Sequence, residues 1–174
     1  DALAKSKKGA WEYDIISPAY KCNMTDISAS IGLAQLKRYR ELLLRRKEII
    51  SMYNDALKNL RLDVLHHYGK NHSSSGHLYL LRIPKIEETI RNEIIVKMAE
   101  AGVACNVHYK PLPMLTAYKK MGFDIKDFPN AFNQYKNELS LPLHTSLSDE
   151  DVKYITENLL RVLHALGIQE ESNK

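Results

Sequence analysis

Between Pro18 and Pro84 the chain contains no proline, and this run limits the fold more than any other stretch. Thr25 suits a helix N-cap, and Asp26 places a negative charge in the first turn, where the helix dipole favours it. Tyr39, Leu43, Ile50, Tyr53, Leu57 and Leu60 then recur at a spacing that lines one helical face, and Ile27, Ile31 and Ala34 begin a similar stripe upstream. The spacing predicts one unbroken helix from Asp26 to Leu60, about 50 Å long at 1.5 Å per residue. A helix of that length in a small domain spans the molecule or bridges two subunits.

The other elements follow from local signals. Trp11-Glu-Tyr-Asp-Ile-Ile is an extended segment ended by Pro18, with no obvious partner of its own. The chain lacks an initiator methionine, so its start reads as a cut, with that partner expected upstream. Leu62-Asp-Val-Leu is a short strand candidate, and His66 to Gly76 is a polar loop. Gly76 to Ile83 reads as a strand stopped by Pro84, and Glu87 to Ala101 as a helix ending at Gly102. Val103 to Tyr109 is expected as a second strand, Leu115 to Met121 and Asn130 to Leu139 as helices, and Leu141-Pro-Leu as extended. The last helix has the clearest ends. Ser148 caps it, three acidic residues fill its first turn, and Gly167 stops it. Val152, Ile155, Leu159, Val162 and Leu166 form its apolar stripe. Helix outweighs strand, so the expected class is α+β.

Totals narrow the function. A chain of 174 residues, 44% hydrophobic and 26% charged, is long enough for one domain with a real core. No apolar run reaches the length of a membrane span. Cys22 and Cys105 make no disulfide framework and fit a reducing cytoplasm. A net charge of +4 is too small an excess to argue for nucleic acid. Lys37, Arg38, Arg40, Arg45, Arg46 and Lys47 do form a basic patch, the best feature for a rival reading as a nucleic-acid-binding or interaction module. Glu41 and Glu48 interrupt that patch and offer pairs such as Glu41 with Arg45, so a solvated or docked helix face is the commoner outcome. His66, His67, His72 and His77 match no zinc-ligand spacing, and no metal site is expected. Neither a nucleophile-base-acid arrangement nor a glycine-rich phosphate loop is present, so no catalytic residue is assigned.

Four stretches together resemble the DegT/DnrJ-type sugar aminotransferases. They are Trp11 to Ile16 with Tyr20-Lys-Cys-Asn-Met-Thr-Asp-Ile and Ile31-Gly-Leu-Ala-Gln-Leu-Lys; His77-Leu-Tyr-Leu-Leu-Arg; Gly102-Val-Ala-Cys-Asn-Val-His-Tyr-Lys-Pro-Leu; and Leu139-Ser-Leu-Pro-Leu followed by Leu147-Ser-Asp-Glu-Asp. Their order and spacing are family-like, and the resemblance covers nearly the whole chain but only the C-terminal part of such an enzyme. It implies the small C-terminal domain of a fold-type-I enzyme dependent on pyridoxal 5'-phosphate, with a long spanning helix and a small sheet backed by helices. Residues 1–24 would link from a missing cofactor-binding domain, 25–169 would be the C-terminal aminotransferase domain, and 170–174 a tail. The Schiff-base lysine would lie upstream, so the chain alone should not transaminate.

The resemblance also implies the site. Lys21 or Asn23, in the turn before the helix cap, would approach the cofactor phosphate of a neighbouring subunit in a homodimer; such a turn could also be purely structural. The commoner family pattern has Asn where Lys21 stands, which leaves open which of the two makes the contact. His108, with Tyr109 as a weaker companion, would face the nucleotide-sugar substrate. A neutral imidazole could donate to a sugar hydroxyl or phosphate, and a protonated one could pair with the diphosphate. The expected reaction converts a nucleotide-linked keto sugar to an amino sugar, with glutamate as amino-acid donor, for polysaccharide or glycan biosynthesis. A dehydratase relative of the same scaffold is the nearest alternative.

Overall fold

The computed structural model describes residues 3–5, 13–15 and 22–168. Trp11, Tyr20, Lys21 and the tail 170–174 lie outside the described residues. The chain forms two units, Asp1–Tyr39 and Arg40–Lys174, whose boundary falls inside the long helix.

In the first unit, β1 (Leu3–Lys5) pairs antiparallel with β2 (Tyr13–Ile15), in the register Leu3 to Ile15 and Lys5 to Tyr13. The extended segment after Trp11 therefore finds a partner within the chain, where the sequence offered no obvious one. The long helix α1 runs from Asp26 to Leu57, 32 residues, three short of the expected end. Thr25 caps it, its Oγ1 accepting from the Ser28 N–H at 3.3 Å.

Along the first half of α1 the expected apolar stripe is not buried. Ile27 is 76% exposed, Ile31 59% and Tyr39 48%. Apolar side chains at 27, 31, 33, 36 and 39 point around the whole helix, a pattern typical of helices enclosed on several sides.

The second unit holds the core. From Ile49 onward α1 turns Ile49, Ile50, Tyr53 and Leu57 inward, with Leu60 half-buried just beyond its end. Three strands form an antiparallel sheet in the order β3 (Asp63–Val64), β6 (Tyr79–Arg82), β7 (Glu138–Leu141). The expected polar loop contains a small hairpin, β4 (Tyr68–Gly69) with β5 (His72–Ser73). α2 (Glu88–Glu100) ends at Gly102, whose φ of +75° is a left-handed conformation that glycine adopts without cost. α3 (Thr116–Lys120) and α4 (Pro129–Tyr135) are short, and α5 (Asp149–Ala165) closes the unit.

Ser148 and Asp151 form a reciprocal capping box at the start of α5. The Ser148 hydroxyl accepts from the Asp151 N–H at 3.0 Å, and the Asp151 carboxylate accepts from the Ser148 N–H at 2.9 Å. That bond holds the Asp151 carboxyl below its ordinary range. Val152, Ile155, Leu159 and Val162 are buried as the stripe predicts, together with Leu163. The helix-rich, small-sheet arrangement is the expected α+β class.

Two expectations fail at the sheet. Asn130–Leu139 is not one helix: α4 ends at Tyr135, and Glu138 and Leu139 already belong to β7, paired to Arg82 and Leu81. Val103–Tyr109 is not a strand. Only Asn106 reaches the sheet, in an isolated bridge to Ser140. The backbone donors that would extend a ladder are diverted elsewhere. Cys105 N–H bonds to the Val103 carbonyl, Val107 N–H to the Asn106 side chain and His108 N–H to the Glu138 carboxylate.

Candidate functional site

β7 is where the described structure gathers polar groups against the sheet. All four of its residues are buried, an arrangement that suits apolar side chains, yet Glu138 is 2% exposed and Ser140 3%. Side chains two apart share a face of a strand. Glu138 and Ser140 do so here, and both reach His108. Glu138 Oε2 accepts from the His108 backbone N–H at 3.1 Å. Ser140 Oγ lies 2.8 Å from His108 Nδ1 and donates to the Asn106 carbonyl at 3.1 Å. His108 is half-buried, and Tyr109, 74% exposed, packs edge-on to its ring with centroids 4.7 Å apart.

Behind β7 lies Arg91, 1% exposed. Its Nη1 donates to the Tyr135 and Glu138 carbonyls at 2.9 Å each, and its guanidinium stands 4.6 Å from the centre of the Tyr135 ring. A buried guanidinium needs such acceptors, because charge away from water is stable only when paired or hydrogen-bonded. Arg91 thus ties α2 to the turn that delivers Glu138.

The Glu138 carboxyl is itself unusual. Its Oε1 is buried with no hydrogen-bond partner among the described residues. Burial pushes its pKa up, opposed by the His108 N–H and the charge of Arg91. The sign for stability follows. An unfolded chain releases this proton near the ordinary carboxylate value of 4.5, whereas the folded protein holds it to higher pH. Folded protein then binds more protons than unfolded, so this group's contribution to stability falls as pH rises from that value through the raised one. Glu138→Gln is expected to flatten that decline, measured as the denaturant midpoint between pH 4 and pH 8. Parallel curves for the two proteins would refute it.

The expected cofactor contacts divide. Lys21 lies outside the described residues. Asn23 is exposed, two residues before the Thr25 cap. First-turn N–H groups of a helix lack intrahelical partners, so the start of α1 and the Asn23 amide fit a phosphate, while Asp26 in the same turn opposes one. Asn23 belongs to the first unit, and His108 and Tyr109 to the second.

Neither described cavity includes these residues. The larger, about 650 Å³, is bordered by Met52, Asp55, Asp149, Glu150 and Lys153. Its acidic rim would repel a nucleotide diphosphate. The smaller, about 280 Å³, lies over Leu65 and Leu78 beside His67 and His77. His67 is buried with Nε2 unpartnered among the described residues, and burial lowers its pKa. No group of three metal-ligating side chains occurs among the described residues.

Arg45, Arg46 and Lys47 of the basic patch on α1 are engaged within the fold. Arg45 bonds the Leu147 carbonyl at 2.7 Å and pairs with Asp149 at 2.8 Å. Arg46 donates to the Gly76 carbonyl at 3.1 Å, and the Lys47 ammonium sits 5.2 Å from the centre of the Tyr68 ring.

The sequence reading pointed to His108 and Tyr109 but missed Arg91, Glu138 and Ser140. One signal was available. A glutamate and a serine alternate with leucines in Glu138-Leu-Ser-Leu-Pro, a strand pattern with polar residues on a single face.

Residues 2–160 match the DegT/DnrJ/EryC1/StrS aminotransferase family. Among curated relatives, the spore coat polysaccharide biosynthesis protein SpsC of Bacillus subtilis is 38% identical over 158 residues, covering 87% of this chain and 40% of that protein. A Campylobacter jejuni UDP-4-amino-4,6-dideoxy-N-acetyl-beta-L-altrosamine transaminase is 32% identical over 90% of this chain and 42% of its own length. Among solved structures, Spr1654 of Streptococcus pneumoniae, assigned as a sugar aminotransferase and solved in its PLP form, superposes with a TM-score of 0.81 at 50% identity. That match covers 95% of this chain and 41% of Spr1654. The chain thus spans about two fifths of the relatives it matches.

Proposed function

Because the chain belongs to the DegT/DnrJ/EryC1/StrS aminotransferase family, we propose that it is the C-terminal part of an aminotransferase that converts a nucleotide-linked keto sugar to an amino sugar. The support is the family match across residues 2–160, joined to a histidine held at the edge of a buried strand with its outer ring nitrogen open. Pyridoxal 5'-phosphate, when bound, supplies the electron sink for moving the amino group. The amino-acid donor is glutamate, the enzyme is a cytoplasmic homodimer, and the lysine that anchors the cofactor belongs to the remainder of the protein. Among the described residues no helix is long and apolar enough to cross a membrane.

Each described residue has a limited task. Asn23 or its neighbour Lys21, outside the described residues, holds the cofactor phosphate. His108 orients the sugar through its outer ring nitrogen, and Tyr109 offers an exposed ring beside it. Glu138 and Ser140 hold His108 by backbone and ring, so it meets the substrate already oriented.

The experiment supplies the full-length protein with pyridoxal 5'-phosphate, glutamate and a nucleotide-linked keto sugar, and follows the sugar by mass spectrometry. Conversion of the keto group to an amine is expected, with none from residues 1–174 alone. Loss of a hydroxyl without gain of nitrogen would indicate the dehydratase chemistry instead. Amino-sugar formation by the isolated chain would refute the division of labour.

A further inference from the structure

We infer that Ser140 fixes the tautomer of His108, leaving Nε2 as a bare hydrogen-bond acceptor for a hydroxyl or amide N–H of the substrate sugar. The substrate half of this inference rests on the reading of His108 given above; the tautomer half rests on geometry alone.

Proton counting on Ser140 sets the tautomer. A serine hydroxyl has one proton to donate and two lone pairs that accept. Ser140 Oγ has two neighbours, the Asn106 carbonyl at 3.1 Å and His108 Nδ1 at 2.8 Å. A carbonyl can only accept. The Asn106 carbonyl already takes the Ser140 backbone N–H at 2.8 Å, and its second lone pair takes the hydroxyl proton. The one proton of Oγ is then committed, so Oγ meets Nδ1 with a lone pair and Nδ1 must carry the hydrogen. In the reverse arrangement the buried Oγ and Asn106 carbonyl would face each other as two acceptors. The chain of donors therefore runs from Nδ1–H to Oγ–H to the carbonyl, and a neutral imidazole has no second proton for Nε2.

The frame around this relay is held at several points. Asn106 and Ser140 exchange both backbone bonds, at 2.8 and 3.2 Å, and Glu138 holds the His108 N–H. Nε2 is the one polar atom of the ring without a partner among the described residues. A bare nitrogen accepts from a donor and repels the oxygens of a diphosphate. Of the partners open to a histidine at this position, the fold thereby selects donors on the sugar.

The test is the histidine ring itself. Full-length protein labelled with ¹⁵N-histidine gives long-range ¹H–¹⁵N correlations that distinguish the two tautomers, and His108→Gln identifies the His108 signals by their loss. Neutral His108 is expected with Nδ1 protonated and Nε2 bare in the wild type and in Ser140→Thr. In Ser140→Ala it is expected to shift to Nε2–H or to a mixture. A wild-type ring protonated at Nε2, or an unchanged Nδ1–H ring in Ser140→Ala, overturns the inference. Turnover gives a separate arm. Ser140→Ala should lower kcat/KM for the nucleotide sugar about tenfold, leave the amino-acid half-reaction unchanged, and recover in Ser140→Thr. An unchanged kcat/KM, or equal loss in both half-reactions, overturns the substrate half. If no keto sugar is aminated even by the wild type, the functional reading fails while the tautomer result still stands on the spectra.

Discussion

Arg91→Met is expected to destabilise the protein by about 3–6 kcal/mol, the sum of two lost bonds from a charged donor at roughly 1.5–3 kcal/mol each. Methionine fills much of the volume, so the change isolates the polar contacts from the packing. The carbonyls of Tyr135 and Glu138 would lose their buried donor, and the Glu138 carboxyl would lose a nearby positive charge. Arg91→Lys should rescue little, because one ammonium on a flexible stem cannot reproduce a planar fork that meets two carbonyls and the Asn92 side chain together. Urea unfolding of the two variants measures both effects. A loss under about 1 kcal/mol, the net worth of a single ordinary hydrogen bond, would mean that water replaces the guanidinium at no great cost. Since whole domains are stable by only about 5–15 kcal/mol, the expected change would remove a large share of the protein's stability.

His108→Ala in the full-length protein should lower kcat/KM for the nucleotide sugar about 100-fold, equivalent to roughly 2.7 kcal/mol of lost transition-state binding. The figure exceeds that for Ser140→Ala because the ring is removed rather than misdirected. The amino-acid half-reaction should be unchanged, since nothing in the proposed role of His108 touches the donor. Stopped-flow measurement of each half-reaction separates them. Equal losses in both would make His108 a structural residue whose removal disturbs the site as a whole. The neighbouring Tyr109, 74% exposed and in ring contact with His108, should show a smaller loss of the same kind.

Legibility of the fold tracked sequence separation. Thr25, the Ser148–Asp151 box and Gly102 act on residues within four positions, and each marks the helix end it predicts. The stripes of α5 and of the second half of α1 are periodic within one element and are buried as expected. Strand limits were less legible. Leu139 can continue the helix after Pro129 or pair with Leu81, and only the sheet decides between them. The site was half legible. His108 stands in a recognisable stretch, but Ser140 lies 32 residues further on and Arg91 meets Glu138 across 47.

By itself the sequence determined the caps that start α1 and α5, the glycines that stop α2 and α5, the α+β class, and the family to which the chain belongs. Capping, helix dipoles and 3.6-residue periodicity are local and can be read along the chain. Tertiary structure decided the rest: that β7 lies at the end of the order β3, β6, β7, that Val103–Tyr109 gives one bridge instead of a strand, and that a buried serine holds the ring of His108. It also decided that α1 buries its apolar residues only from Ile49 onward. Periodicity states which side chains could be covered, but burial depends on what packs against them, and that is fixed only when distant segments meet.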